Sequence, residues 1–157
     1  MREHIGLFRG KRIDNGEWVE GYYGVFKGQH DIFVPFTEEE EKQNEGHIFS
    51  AVGGLWHEVD PDTVGECCGG LRDKNGKLIF EGDIISIRFE SDYEPPCAPD
   101  VWYEYAKVIW QEEHLGWYAT FEGGDEMSMW EYDNCEDVVV VGTVHDNPEL
   151  LKGGEEA

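Results

Sequence analysis

The sequence predicts an all-β fold built around a small closed or half-closed β-barrel. Short runs of alternating apolar and polar residues recur along the chain, separated by turn signals about every eight to twelve residues. Hydrophobic residues make up 39% of the 157 residues and aromatics 13%, which suits one folded domain with an apolar core. Short, strongly bent strands of this kind, about five in number, close most readily into a barrel.

The N-terminal part of the chain is predicted to be β-structure. Residues 15–28 open with an Asn-Gly turn signal and then alternate between two faces, and residues 30–36 follow a second glycine turn. Residues 37–46 contain four consecutive glutamates, which repel one another, so we expect a solvated loop there rather than a metal site. Residues 47–61 resume as a short strand pair broken by two glycines.

The densest turn and strand signal is GGLRDKNGKLIFEGDIISI, residues 69–87. Asn75-Gly76 predicts a hairpin with a two-residue turn, because both residues tolerate positive φ. After a second glycine turn, alternate residues from Ile85 to Phe89 share one core face, and the residues between them form a mixed face.

The C-terminal half continues the strand pattern after a break. Residues 90–100 hold three prolines and four acids and therefore predict a long exposed loop. Two aromatic strands follow, joined by residues 111–116, and residues 126–134 are expected to form a helical turn at the barrel mouth.

The last predicted elements are a strand and a short helix. VVVVGTV, residues 138–144, has the continuous β-branched pattern of a strand covered on both faces. Asn147 as the N-cap, Pro148 at the first helical position and Glu149 near the helix dipole predict a short C-terminal helix.

Charge excludes several classes of function. Lys plus Arg total 12 and Asp plus Glu 35, which gives a net charge of −23. Residues 90–157 alone hold 18 acids and 2 bases. Binding to nucleic-acid phosphates or to an anionic membrane requires basic residues, so neither is expected. The apolar runs are too short to cross a membrane and the N-terminus lacks a secretory signal, which predicts a cytosolic protein.

The four cysteines are candidate metal ligands or nucleophiles. Cys67, Cys68, Cys97 and Cys135 show no CxxC or Cys/His ligand spacing. Packing thiols in a reducing compartment are therefore favoured over zinc. A nucleophile at Cys67-Cys68, with His57 or His145 as its base, is the weaker alternative, because no helix N-terminus or basic cluster appears nearby in the sequence to lower a thiol pKa.

Three acids near the hairpin form a second candidate set. Asp73, Glu81 and Asp83 could serve metal or acid–base chemistry. Turn formation and capping of strand amides explain the same residues more simply, and the lysine-flanked block is expected to be exposed. The sequence thus predicts no catalytic residue, no metal site and no cofactor.

The aromatic residues give the one positive prediction of a site. Trp102, Tyr103, Tyr105 and Trp110 occupy both faces of one strand, so some of them must lie outside the barrel core. Exposed Trp and Tyr are typical of protein interfaces, which makes these four a candidate interface. Packing against the N-terminal segment is the equal alternative, and a nucleic-acid stacking surface is disfavoured because only Lys107 lies beside them.

Three stretches, in order, resemble the YopX family of phage and prophage proteins. They are FRGKRIDNGEWVEGYY (8–23), EVDPDTVGECCGGLRDKNGKLIFEGDIISI (58–87) and VVVVGTVHDNPELL (138–151). Gly70 departs from the threonine usual in the family. The resemblance implies an SH3-like barrel core, a phage or prophage origin and a location in the bacterial cytoplasm, and it implies no activity, cofactor or catalytic residue.

Taken together, the sequence predicts a domain organisation and a function class. Residues 1–64 are expected to form an N-terminal β segment packed on the barrel, 65–152 the SH3-like core and 153–157 a frayed tail. We expect a non-enzymatic accessory protein that acts through protein contacts and self-associates as a homo-oligomer. The alternative is an acidic nucleic-acid mimic that binds a DNA-handling protein of the host.

Overall fold

The computed structural model describes residues 6–43, 45, 53–91, 100–131 and 137–152. Over these ranges the chain is mostly β-structure, with eleven strands, one α-helix and three short 3-10 helices, so the predicted all-β class is confirmed. The chain divides into two compact units, Met1–Cys67 and Cys68–Ala157. The predicted sites Cys97 and Cys135, most of the proline-rich loop and the tail lie outside the described residues.

The first unit is an antiparallel sheet with the strand order β4-β3-β2-β1-β5. Its elements are β1 (Leu7–Lys11), β2 (Trp18–Phe26), β3 (Gln29–Pro35), α1 (Glu38–Gln43), β4 (Gly54–Glu58), a 3-10 turn (Pro61–Thr63) and the start of β5 (Gly65–Arg72). Lys27 and Gly28 join β2 to β3 with φ angles of 50° and 82°, the positive values that a tight two-residue hairpin turn requires.

The sheet of the first unit curls until β4 meets β1. Val59, just after β4, forms a bridge with Arg12, and the Asp60 N–H donates to the Lys11 carbonyl at 2.8 Å. Val59 and Ile32 are fully buried beneath this closure. A Cβ on Gly10 would stand 3.1 Å from Val59, so a side chain there would require the buried side chains of Val59 and Ile32 to shift.

The solvated loop predicted for residues 37–46 is wrong in part, because Glu38–Gln43 form the fully exposed helix α1. The Thr37 hydroxyl accepts the Glu40 N–H at 3.3 Å, and the Glu40 carboxylate accepts the Thr37 N–H at 2.8 Å. This reciprocal capping box satisfies amides at the helix start. Acids in a first turn also face the positive end of the helix dipole, which offsets their mutual repulsion.

The second unit is built on a five-stranded antiparallel sheet with the order β10-β9-β8-β7-β11. Its elements are the end of β5, β6 (Leu78–Phe80), β7 (Asp83–Glu90), β8 (Val101–Gln111), β9 (Gly116–Phe121), β10 (Glu126–Ser128), a 3-10 turn (Met129–Glu131), β11 (Val138–Thr143) and a final 3-10 turn (Pro148–Leu151). Ile85 and Ile87 lie in the apolar core with Phe89 packed against it, as predicted.

The hairpin at Asn75-Gly76 is present, but the predicted turn geometry is wrong. Only Gly76 has a positive φ, of 82°, and the Asp73 N–H donates to the Lys77 carbonyl at 2.8 Å. The loop therefore has three residues, a form in which a single left-handed glycine follows an ordinary turn. The Asp73 carboxylate makes this form favourable by accepting the N–H groups of Asn75 and Lys77, each at 2.9 Å.

The strand predicted to be covered on both faces, β11, is instead an edge strand. Val138 is buried but Val141 is 39% exposed, and the register shifts between Val140 and Gly142, a bulge of the kind common at sheet edges. The continuous valine run reflects β-propensity at a bulged edge rather than burial on two sides.

The predicted C-terminal helix is a single 3-10 turn, Pro148–Leu151. Pro148 stands at the first helical position as expected, but the Asn147 side chain does not cap the turn. Its carbonyl oxygen accepts the Thr143 N–H at 3.4 Å instead. The helical turn expected in residues 126–134 is reduced to Met129–Glu131, directly after β10.

Candidate protein-interaction surfaces

The four aromatic residues predicted as an interface lie on opposite faces of β8. Tyr103 and Tyr105 are 65% and 37% exposed and point to the same side, since side chains alternate along a strand. Trp102, on the other side, stacks on Phe89 with ring centroids 5.6 Å apart. Trp110 meets Trp117 edge to face at 5.0 Å. The structure therefore brings the two tyrosines together and separates them from the two tryptophans.

Arg88 lies directly opposite Tyr103 on the neighbouring strand. Its guanidinium is 3.2 Å from the Glu90 carboxylate and 3.6 Å from that of Asp137. The hydrogen bond that Arg88 donates to the Glu90 carboxylate is the main cause that raises the pKa of Arg88 above its ordinary value. Because Glu90 and Asp137 neutralise the charge of Arg88, the surface beside the two tyrosines is not a basic patch.

A second aromatic surface, which the sequence analysis did not single out, lies on the first unit. The strand register places Leu7, Tyr22, Phe33 and Trp56 in one row across β1 to β4. Tyr22 is 52% and Trp56 56% exposed. We call Tyr22, Phe33 and Trp56 the indole platform.

The indole of Trp56 lies over its neighbours in the sheet. Its ring centroid is 5.1 Å from that of Phe33. A Cβ on Gly24, two strands away, would meet the far edge of the indole at 3.4 Å. A flat ring supported in this way leaves the rest of its surface open to a ligand.

Carboxylates occupy the next row of the same face. Asp31 and Glu58 are register partners, two residues along β3 and β4 from Phe33 and Trp56. The amide group of Gln29 donates to Asp31 at 3.0 Å. The indole platform is thus bordered by two acids along one edge.

A shallow cavity of about 370 Å³ adjoins Trp56, and its lining consists of Arg12, Ile13, Asp14, Trp56, His57 and Glu58. Within it, Arg12 binds Asp14 through two contacts, of 2.9 and 2.5 Å. This hydrogen bonding lowers the pKa of Asp14 below its ordinary value and raises that of Arg12. Arg12 is therefore already paired where it faces the cavity.

Two acids of the predicted carboxylate set, Asp73 and Asp83, serve the backbone, and the third, Glu81, is half-buried. Asp73 and Asp83 are 5% and 0% exposed, so the expectation of an exposed block is wrong for both. Asp83 Oδ2 accepts the Phe80 N–H at 2.8 Å. Asp73 Oδ2 accepts the Val140 N–H at 3.0 Å. These carboxylates are buried because strand and turn amides surround them, which is the structural role that the sequence favoured.

The cysteine and histidine candidates are not assembled into a pair by neighbouring strands. His57 lies on β4 opposite Ile32, and Cys67 lies on β5, which is not a sheet neighbour of β4. Cys67 and Cys68 are both buried, and Cys68 belongs to the apolar core of the second unit. His145 is exposed beside Gly82.

The described ranges hold neither a metal-ligand cluster nor a membrane-spanning helix. Those ranges contain no group of three or more His, Cys, Asp or Glu residues arranged to hold a metal ion. None of the helices within them has the length and apolarity needed to cross a bilayer.

A protein-family model matches the chain over most of its length. The family model described as YopX protein matches residues 7–152, which is nearly the whole chain and includes all three stretches that carried the resemblance. The chain belongs to the YopX family. No curated protein matches it. The two aromatic surfaces described above both fall within the matched region.

Proposed function

We propose that this YopX-family protein acts by binding other proteins rather than by catalysis. The observation that supports this most strongly is the indole platform, where Trp56 presents more than half of its surface to solvent. Large aromatic side chains contribute disproportionately to binding energy at protein interfaces. The exposed pair Tyr103 and Tyr105 offers a second surface of the same character on the other unit.

The side chains that could have supported catalysis have other roles in the described part of the chain. Asp73 and Asp83 accept backbone amides, and the thiols of Cys67 and Cys68 are buried. A catalytic role for Cys67 and His57 predicts that Cys67→Ser or His57→Ala removes an activity. If either substitution abolished an enzymatic turnover of the purified protein, the non-catalytic proposal would be wrong.

Family membership supports a setting for this function. We place the protein in phages or prophages and in the cytoplasm of the bacterial host, as an accessory protein. The second unit fits an SH3-like barrel, because β7, β8 and β9 form a meander and β11 returns beside β7 after a 3-10 turn. Small barrels of this kind commonly present their outer faces to partners.

Self-association is the form of protein contact that is simplest to test. We propose a homo-oligomer, and size-exclusion chromatography with light scattering should give a mass above the 18.0 kDa of one chain. Tyr103→Ser combined with Tyr105→Ser, and separately Trp56→Ser, would identify which surface is covered. A mass of one chain over a wide range of concentrations would contradict the oligomer.

A second candidate function rests on charge. With a net charge of −23, the protein could present carboxylates where a duplex presents phosphates, and so occupy a DNA-handling protein of the host. Affinity capture from bacterial lysate at low salt should then recover nucleic-acid-binding proteins, and their release should follow rising salt. Recovery of none would count against this candidate.

A further inference from the structure

We propose that the indole platform receives a basic side chain, an arginine or a lysine, from a segment of a partner protein. The inference rests on the proposed function, protein contact, and adds the chemistry of the partner. It is carried by two features of the same sheet face, an open aromatic surface and the carboxylates beside it.

The aromatic surface has the geometry that a cation requires. The Trp56 indole packs on Phe33 at 5.1 Å and lies over Gly24, so part of the ring is supported by the sheet before a ligand arrives. Cations bind over aromatic faces within about 6 Å of the ring centroid, and tryptophan is the best of the aromatic side chains for this. A preformed ring also avoids the cost of ordering a side chain on binding.

The same face already binds cations over an indole within this chain. On β1 and β2, the Arg9 guanidinium lies 4.8 Å from the centroid of Trp18, and the Lys11 ammonium lies 5.5 Å from it. Trp18 and Tyr22 share one face of β2, since they are an even number of residues apart. Trp18 is thus supplied with cations by its neighbours, whereas Trp56 is flanked in the next row by acids.

The charges around Trp56 match a basic ligand. Asp31 and Glu58 border the ring, and Arg12, which lines the adjoining cavity, is bound by Asp14. An arginine stacked on the indole could donate to either carboxylate, because its guanidinium combines a flat face with in-plane donors. A nucleic-acid segment would instead be repelled by these acids, and a purely apolar segment would not use them.

The test uses the full chain and two short peptides. One peptide carries two arginines, and the other carries citrulline at both positions, which keeps the shape and removes the charge. Binding is followed by NMR through the indole N–H signals, with Trp56 assigned by its loss in Trp56→Leu. We expect the arginine peptide to shift the Trp56 signal saturably and the citrulline peptide to bind at least about tenfold more weakly.

Three variants locate the site. Trp56→Leu should weaken the arginine peptide about tenfold, and Asp31→Asn with Glu58→Gln should weaken it and reduce its dependence on salt. Trp130→Leu is the matched control, because Trp130 is 54% exposed on the other unit, and it should leave affinity unchanged. Circular dichroism checks that each variant remains folded.

Several outcomes would overturn the inference. Equal binding of the two peptides at Trp56 would show that the site does not select a positive charge. The proposal of a basic partner would then be wrong, while the proposed function in protein contact would still stand. If no binding depended on Trp56, the proposal of a binding site at the indole platform would be wrong. The light-scattering experiment would still test self-association independently. If Trp56→Leu converted an oligomer into a single chain, a second copy of this protein would be the occupant instead.

Discussion

At the scale of single residues, Asp73 shows how a side chain can look catalytic and be structural. Its two carboxylate oxygens accept three backbone N–H groups, from Asn75, Lys77 and Val140. A carboxylate that is buried and saturated by amides offers no open oxygen to a substrate. Its contribution is to the stability of the hairpin and of the strand that it joins.

Replacing Asp73 should therefore destabilise the protein. Asp73→Ala leaves three amide donors without their acceptor, and we expect the free energy of unfolding to fall by about 3 kcal/mol. Urea denaturation measures the change. Lys74→Ala is the control, since the Lys74 side chain is exposed, and it should change stability by less than about 0.5 kcal/mol. A similar effect of the two substitutions would contradict the role assigned to Asp73.

Asp14 gives a prediction of pH dependence. The hydrogen bond from Arg12 lowers the pKa of Asp14 below 3.8, so the folded state favours the charged carboxylate. Its contribution to stability is present above the unfolded pKa and is lost as the pH falls through the folded pKa. NMR titration of the Asp14 carboxyl carbon should give a midpoint below 3.8.

The control for Asp14 is Arg12→Gln. Removal of the guanidinium should return the Asp14 midpoint toward 3.8, and high salt should do the same in part, because both side chains reach solvent. An Asp14 midpoint that is the same with and without Arg12 would show that this ion pair does not persist in solution.

At the scale of elements, the alternation of residues and the turn signals predicted the strands and hairpins. The order of the strands in the sheets depends on long-range pairing and was not predicted. The alternation of β7 and the turn at Asn75-Gly76 could be identified because each depends on neighbours in the sequence. The edge position of β11 could not be identified from the sequence, because it depends on long-range pairing between strands that are distant along the chain. The Thr37 to Glu40 capping pattern was present in the sequence, but the loop prediction rested on charge repulsion alone.

The two aromatic surfaces also differ in how far the sequence predicted them. Alternation along β8 implied that some of its aromatics lie outside the core, and Tyr103, Tyr105 and Trp110 are exposed. The indole platform was not predicted, because Tyr22, Phe33 and Trp56 come from three strands and meet only through the cross-strand register. The one local hint was the pattern of small residues beside the aromatics, Gly24 among them, which leaves space for a large ring.

The close approach of β2 to β3 gives a prediction for an element. A Cβ on Gly21 would lie 2.1 Å from the Phe33 carbonyl oxygen, so Gly21→Ala forces the two strands apart. We expect a loss of at least about 2 kcal/mol in the free energy of unfolding. Gly123→Ala is the control, because nothing lies within 4 Å of its added methyl group, and unchanged stability is expected there. Equal stability of the two variants would contradict the described packing of β2 on β3.

At the scale of the whole molecule, the large negative net charge is the main feature that opposes folding. A net charge of −23 spread over 157 residues repels itself in the compact state and opposes folding. The 3-10 turns, the curled sheet and the apolar core have to overcome this repulsion. A charge of this sign repels nucleic-acid phosphates and attracts basic groups.

Salt should therefore stabilise the protein. Between about 0.01 and 0.1 M salt the Debye length falls from about 30 to about 10 Å, which screens the repulsion between distant acids. We expect the thermal unfolding midpoint to rise over this range and then to level off. Sodium and potassium chloride should act alike, since the effect is one of ionic strength. A midpoint that falls with added salt would mean that attractive ion pairs outweigh the repulsion.

The hydrogen bond from Val140 to Asp73 joins residues 67 positions apart. Closing a loop of that length costs conformational entropy before any contact rewards it. Non-local contacts of this kind slow the folding of small β proteins, so we expect the second unit to fold more slowly than a helical domain of similar size. Asp73→Asn, which keeps one acceptor oxygen, tests this through stopped-flow refolding, and a refolding rate typical of a helical bundle would contradict it.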